Sequence, residues 1–577
     1  MDEVQNGGFA EDALAGALFA LEESVSLLAR EDPETQPYRS KYEASDRLEG
    51  VADELKHRLQ QHAAGADAGR DEESRQILEG VLAAVETQRG LALASTDLTA
   101  DARRLLERSI PALQKPPGPK WWGGVLQQAL NQAAILASNS GEHDLALRAL
   151  QQAEQLYVSS NNPATPPDGT YQLTLFYLAQ VHGLRKDSAA SAEYCAATLR
   201  SQLELAAPDA AIDVDEWVGN ALGLAEYYLS EDEHAACEWC LHAATRVLKL
   251  ATGEVEPGAG EGVPLTAPRD VEAAGAKVDR AWLRLLEQRL LTGALCRDRG
   301  GDGGDADGVG RLGSVPPALH FQRISLPAED ALPWGRKAIP SDFASARDIF
   351  NAAMRHLRGA LAYFVLDGFV TDHFELQMDA ANLYRCLSRY EEDPKRRAAM
   401  HGMRAKVLAP LCDGNMNPQH FLGIIKSVHL ECASALRDQS DIKAQVGDAA
   451  GAARAAATAT VHYKSFLRCF PAGPCAEDKP ARTSLDKVAE DVEEEALYLR
   501  TLLQHVAVVQ RVYAGPGGGN LADLQVALTQ LKWAVAYAER HKVPGFEQEA
   551  ALASEMSDLL EQKIDFLVRQ RARAAAS

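Results

Sequence analysis

Residues 125–157 read V-L-Q-Q-A-L-N-Q-A-A-I-L-A-S-N-S-G-E-H-D-L-A-L-R-A-L-Q-Q-A-E-Q-L-Y, and this stretch decides the fold. Val125, Leu126, Ala129, Leu130, Ala133 and Ala137 recur at helical spacing and form one apolar stripe. Ser140-Gly141-Glu142-His143 is a turn, and Ala146, Ala149, Leu150, Ala153 and Tyr157 form a second stripe. Two helices that each show one apolar stripe leave a face uncovered, which a stacked neighbouring pair buries. The pattern recurs twice. Leu175 opens L-F-Y-L-A-Q-V-H-G-L, followed by Ala192, Cys195, Ala196 and Leu199; then Val218, Leu222, Ala225 and Leu229 precede Ala236, Cys240, Ala243 and Val247. The repeat is roughly 45 residues, longer than the roughly 34 of the standard tetratricopeptide unit. Proteins built this way usually bind other proteins.

Outward from this stretch the chain keeps its helical character. Residues 9–30 and 42–62 form a first pair, and further helices occupy 73–114 after a polar break, A-A-G-A-D-A-G-R-D-E-E. A helix carrying Trp282, Leu283, Leu285, Leu286 and Leu290 precedes D-R-G-G-D-G-G-D-A-D-G-V-G-R-L-G from Asp298, which is too rich in Gly and Asp to order itself. From 343 the helices resume. Leu422, Ile425, His429, Cys432 and Leu436 mark one, and Leu485, Val488, Val492, Leu499, Leu502, Val506 and Val509 mark an unusually long one. Leu524, Leu528, Leu531 and Val535 mark another, and the last runs from 546 through Leu567. The expectation is an all-α, tetratricopeptide-like right-handed α-solenoid in two arrays, 1–297 and 343–577, joined by a flexible linker at 298–342.

With 577 residues the chain exceeds a single core. Aromatic residues make up only 6% against 46% hydrophobic, which fits Ala- and Leu-rich helices packed through small side chains. The formal net charge of −23 repels phosphate backbones and anionic lipid and favours a basic partner, although acidity also keeps an Ala-rich array in solution. Nine scattered cysteines lack the spacing of a disulfide framework and point to a reducing compartment. The acidic start M-D-E-V has no signal-peptide character, and no apolar run approaches the roughly 18 residues of a membrane span. A cytoplasmic protein without membrane insertion, monomeric when free, is expected.

Motifs with chemical promise have plainer explanations. Cys237 and Cys240 have half the spacing of a zinc site, but no second C-x-x-C accompanies them, so two buried small residues are the better reading. Asp372 and His373 are adjacent and point about 100° apart on a helix, which suits helix-to-helix bonding rather than a catalytic dyad. Gly515 to Asn520 lacks the Lys-Ser or Lys-Thr of a phosphate loop; Asn520 instead caps a helix starting at Leu521. His429 lies on an apolar stripe as a core histidine. The basic runs Lys395 to Arg397 and Arg569 to Arg573 are a solvated face and a helix C-terminus, and nucleic-acid binding is not expected. No enzyme, cofactor or metal site is read from these motifs.

Particular segments carry a more specific signal. L-D-G-F-V-T-D-H-F-E from Leu366, E-E-D-P-K-R-R-A-A-M-H from Glu391, N-P-Q-H-F-L from Asn417, L-F-Y-L-A-Q-V-H from Leu175, Y-C-A-A-T-L-R-S-Q-L-E from Tyr194 and P-Y-R-S-K-Y from Pro37 together resemble the KIF-binding protein family. The resemblance implies a non-enzymatic superhelix that binds kinesin motor domains and keeps them from microtubules, in the cytoplasm and at the cytoskeleton, with a part in microtubule-based and mitochondrion transport. It also implies partner-binding roles for Tyr177, Gln180 and Gln202. Where the family has Thr in the helix after E-W, this chain has Gly223. The residues themselves leave two alternatives open: a generic tetratricopeptide adaptor that grips a peptide, and Tyr177 as a side chain packed between repeats.

Overall fold

The computed structural model describes residues 3–33, 35–64, 72–115, 122–160, 168–205, 211–258, 262–298, 315–326, 339–414, 416–475, 485–515 and 519–576. Among them are nineteen α-helices and no strand beyond one isolated bridge, Ile212 to Leu265. The chain divides into two compact units. The first is Met1–Arg269 with Ser314–Pro327, and the second is Asp270–Gly313 with Ala328–Ser577.

The first unit contains α1 (Glu3–Leu28), α2 (Arg39–Ala64), α3 (Glu72–Ala94), α4 (Thr99–Leu113), α5 (Trp122–Asn139), α6 (His143–Ser160), α7 (Gly169–Leu184), α8 (Ser188–Leu205), α9 (Val214–Ser230) and α10 (His234–Ala251). Each helix packs on its successor, and α1, α3, α5 and α7 also pack in turn on one another, which is the stacking of a helical solenoid. Three hairpin turns repeat one device. Gly141, Lys186 and Asp232 adopt left-handed φ of 78°, 62° and 62°, and they lie 45 and 46 positions apart. In each turn the next residue's N–H closes on a carbonyl five residues back: Glu142 on Ala137 at 2.9 Å, Asp187 on His182 at 3.0 Å and Glu233 on Tyr228 at 2.8 Å. The repeat length expected from hydropathy is thus marked in the backbone.

Small side chains set the helix spacing. Ala146, Leu150 and Ala153 are fully buried, and Ala146 belongs to a cluster with Ala134, Ala137, Leu178 and Val181 that joins the first hairpin to the second. Val218 and Ala225 of the stripe expected for α9 are buried, but Leu222 and Leu229 are only half-buried and Ala221, Leu224 and Tyr228 take their place in the core. Trp217 takes over the core on that face, fully buried, with its indole N–H donating to the Leu199 carbonyl at 3.2 Å.

Residues 315–326, inside the segment expected to link the arrays, belong to the first unit. Leu319 is buried and its carbonyl accepts from the Trp239 indole at 2.8 Å, Phe321 meets Trp217 edge-on at 5.6 Å, and Arg323 donates to the Leu203 and Gly262 carbonyls. The Gly- and Asp-rich run at 299–314 lies outside the described residues.

The second unit contains α11 (Val271–Asp298), α12 (Phe343–Tyr363), α13 (Val370–Ser388), α14 (Pro394–Leu408), α15 (Pro418–Gln445), α16 (Ala449–Arg468), α17 (Val492–Ala514), α18 (Leu521–His541) and α19 (Glu547–Ala576). Leu283, Leu286 and Leu290 of α11 share a core with Ile349, Ala353 and Leu357 of α12. The long helix expected from Leu485 begins later, because the Asp491 carboxylate accepts from the Glu494 N–H at 2.9 Å and caps α17. Val488 is still buried in the same core, from outside the helix. Asn520 does cap α18, accepting from the Ala522 N–H at 3.1 Å. Part of the acidity has a local use: Asp168, Asp213, Asp342, Asp393, Asp448 and Asp491 all cap helix N-termini, where an anion meets free N–H groups and the helix dipole.

Two predictions follow from this packing. Ala146→Phe overfills the joint between hairpins and should cost about 1 to 3 kcal/mol, read as a lower melting temperature; an unchanged one would mean the position has room. In the second unit, Glu287 of α11 hydrogen-bonds Asp379 of α13, and burial, then the Asp379 charge, pushes Glu287 up to about 8. Burial likewise raises Asp379 to about 6, against the pull of Arg284 and Arg280. The folded state holds these protons above their ordinary values of 4.5 and 3.8, so the stability they confer is complete below those values and is lost as pH rises through 6 and then 8. Glu287→Gln should flatten the loss of stability between those two values; parallel melting curves for wild type and variant across that range would refute the assignment.

Candidate functional site

The residues expected to bind a partner lie on the second hairpin of the first unit. The α7 helix starts at Asp168, whose carboxylate accepts from the Tyr171 N–H at 2.8 Å. Its rotation is fixed by a polar ladder inside an otherwise apolar joint. The Thr174 hydroxyl donates to Asn131 Oδ1 at 3.0 Å and accepts from Gln127 Nε2 at 3.2 Å, while Asn131 Nδ2 donates to the Thr170 carbonyl at 3.0 Å. Breaking such a buried set leaves polar atoms unpaired at about 1–3 kcal/mol, so the ladder resists rotation of α7. The far end is tied by Ser191, whose hydroxyl donates to the Ala179 carbonyl at 2.8 Å, and by the His182 to Asp187 contact at 3.1 Å.

This rotation sorts the side chains of α7. Leu175, Leu178 and Val181 point inward, whereas Gln180 is exposed. Tyr177 is half-buried: it leans on the cluster around Ala137 and Leu178, meets Phe176 edge-on at 5.2 Å, and burial raises its hydroxyl pKa. Tyr177 therefore packs partly between hairpins while the rest of its ring remains accessible. Tyr177 and Gln180, one helical turn apart, occupy one face.

Gln202 is set apart from them. It lies near the end of α8, and in a hairpin of 1.5 Å rise per residue that places it roughly 15 Å along the axis from Gln180. Its Oε1 is buried and accepts no hydrogen bond from the described residues. An unsatisfied buried amide oxygen is costly in isolation. Gly223 is exposed on α9 with nothing within 4 Å of where a Cβ would stand.

Acidic groups gather around Tyr227 and Tyr194. Burial raises the Tyr227 hydroxyl, and then the carboxylates of Glu231, Glu193, Asp187 and Glu233 raise it further. The Tyr194 hydroxyl, raised by burial and by Glu154, donates to Glu154 at 3.0 Å. Carboxylates from the turns and helices of three successive hairpins therefore gather beside α8. This collar and the Gln127–Asn131–Thr174 ladder escaped the sequence reading, although Gln127 and Asn131, four apart beside Leu126 and Leu130, were a visible polar break in an apolar stripe.

Elsewhere the motifs resolve as structure. Asp372 pairs with Arg280 at 2.5 Å, and His373 Nδ1 lies 2.9 Å from the Phe364 carbonyl. Cys237 and Cys240 are buried on α10. No described helix is long and apolar enough to cross a membrane.

Residues 215–567 match a family model described as KIF-1 binding protein C terminal. Similar proteins include the KIF-binding protein of Gallus gallus, 27% identical over 93% of this chain and 94% of its own length. That of Xenopus tropicalis is 27% identical over 87% and 88%, and that of Homo sapiens is 24% identical over 92% and 94%.

Proposed function

Because this chain belongs to the KIF-binding protein family, we propose that it binds kinesin motor domains and blocks their engagement with microtubules. The observation that carries the reading is the match along nearly the whole chain, joined to the accessible Tyr177–Gln180 face of α7. A motor surface that grips acidic tubulin is basic, so an acidic helical surface competes for the same charge. Tyr177 offers an aromatic edge already held by its own core, which limits the entropy lost on binding, and Gln180 adds an amide beside it. Gln202, farther along the hairpin, supplies an acceptor for a donor on the same partner helix.

In this account the protein works by occupancy and carries out no chemistry. It acts as a monomer in the cytoplasm, at the cytoskeleton, and regulates microtubule-based transport, that of mitochondria included.

Changing Tyr177 and Gln180 together to Ala should weaken binding to a cognate motor domain at least tenfold, since anchors of this kind commonly carry about 2 kcal/mol or more. Circular dichroism and melting should stay near wild type. Undiminished binding by the folded variant would remove these residues from the site. Tight binding of an isolated peptide, with no binding of any motor domain, would favour a generic adaptor instead.

A further inference from the structure

Four side chains that the proposed function does not use converge in the second unit. The 3₁₀ turn Ala409–Cys412 ends α14 and presents Cys412; α15 presents His429 and Cys432 one turn apart; α16 presents His462. Ligand atoms of Cys412, Cys432 and His462 all lie within 4.8 Å of one another. The two sulfurs are 3.8 Å apart, and His429 Nδ1 is 3.1 Å from His462 Nδ1.

These separations have a simple geometric meaning. Two thiolates at about 2.3 Å from one tetrahedral ion stand about 3.8 Å apart, and two imidazole nitrogens at about 2.05 Å stand about 3.3 Å apart. A disulfide requires the sulfurs at about 2.05 Å, and the facing histidines would have no part in it. Leu408, Leu411 and Val428 form an apolar wall around the group, while His429 and His462 remain half-exposed and leave a route inward.

We infer that Cys412, Cys432 and His462 form a zinc site joining the end of α14 to α15 and α16, with His429, which lies outside that three-residue cluster but 3.1 Å from His462, turning in as the fourth ligand. Two sulfur and two nitrogen donors in a closed tetrahedron suit a structural zinc ion, with no open position for chemistry. Each cysteine binds as thiolate, so loading releases the thiol protons to solvent. The ligands come from three elements and share no short motif, which hides them in the sequence.

The full-length protein, purified without chelator, should carry about one zinc per chain. After metal removal, cobalt titration should give the visible bands of a tetrahedral ion and thiolate-to-cobalt charge transfer. Cys412→Ser and His462→Gln should each weaken cobalt binding more than about 100-fold, beyond the loss typical of supporting residues, while Cys296→Ser leaves it unchanged. Circular dichroism reports which variants are folded, and half-exposed His462→Gln carries the test if a cysteine variant does not fold. Wild type without tetrahedral cobalt bands, folded variants that keep them, or a Cys412–Cys432 disulfide that forms regardless of zinc would overturn the assignment.

Discussion

Close approach of helices through alanine is the constraint on which the rest depends. A hairpin such as α5–α6 buries only part of its apolar surface internally, and the remainder is covered when Ala134, Ala137 and Ala146 let the next hairpin come near enough for Leu178 and Val181 to fill the gap. Larger side chains would hold the pairs apart. Apolar burial alone does not choose a rotation about the helix axis, because a stripe of alanines is smooth. The Gln127–Asn131–Thr174 ladder supplies that choice, and so determines that Gln180 faces outward and Tyr177 sits at the margin.

Much of this was legible in the residues. The stripes of α5 and α6 and the turn at Gly141 were read in place, since glycine at a left-handed position and strict apolar spacing are local signals. The equivalent turn positions Lys186 and Asp232 gave no such signal, because they adopt the left-handed conformation without being glycine. In α9 Leu222 and Leu229 were misread as core, whereas Trp217 and Tyr228 fill it. The start of α17 was placed too early because Val488 continues the apolar pattern beyond the cap at Asp491. Segment 315–326 was taken for linker, and its attachment depends on indole and guanidinium bonds to distant carbonyls that no local pattern reveals.

Three of the segments that resemble the family have a local structural role. D-P-K and N-P-Q place Asp393 and Asn417 as caps with Pro394 and Pro418 in the first turn. L-D-G-F-V-T-D-H-F-E provides the Gly368 turn at φ 110° and the Asp372 partner for Arg280. In these segments the residues terminate and register helices. The accessible face of α7 was legible as Y-L-A-Q, but the acidic collar beside α8 and the buried Gln202 oxygen became visible only when α7, α8 and α9 were brought together.

On the proposed reading, an acidic helical surface takes the place of the microtubule on a motor domain. Co-sedimentation measures this directly: a cognate kinesin motor domain is mixed with microtubules and increasing amounts of the full-length protein. The account predicts that the motor leaves the pellet as the protein approaches equimolar amounts, with the protein and motor together in the supernatant. A motor that stays on the microtubules and carries the protein into the pellet with it would contradict it.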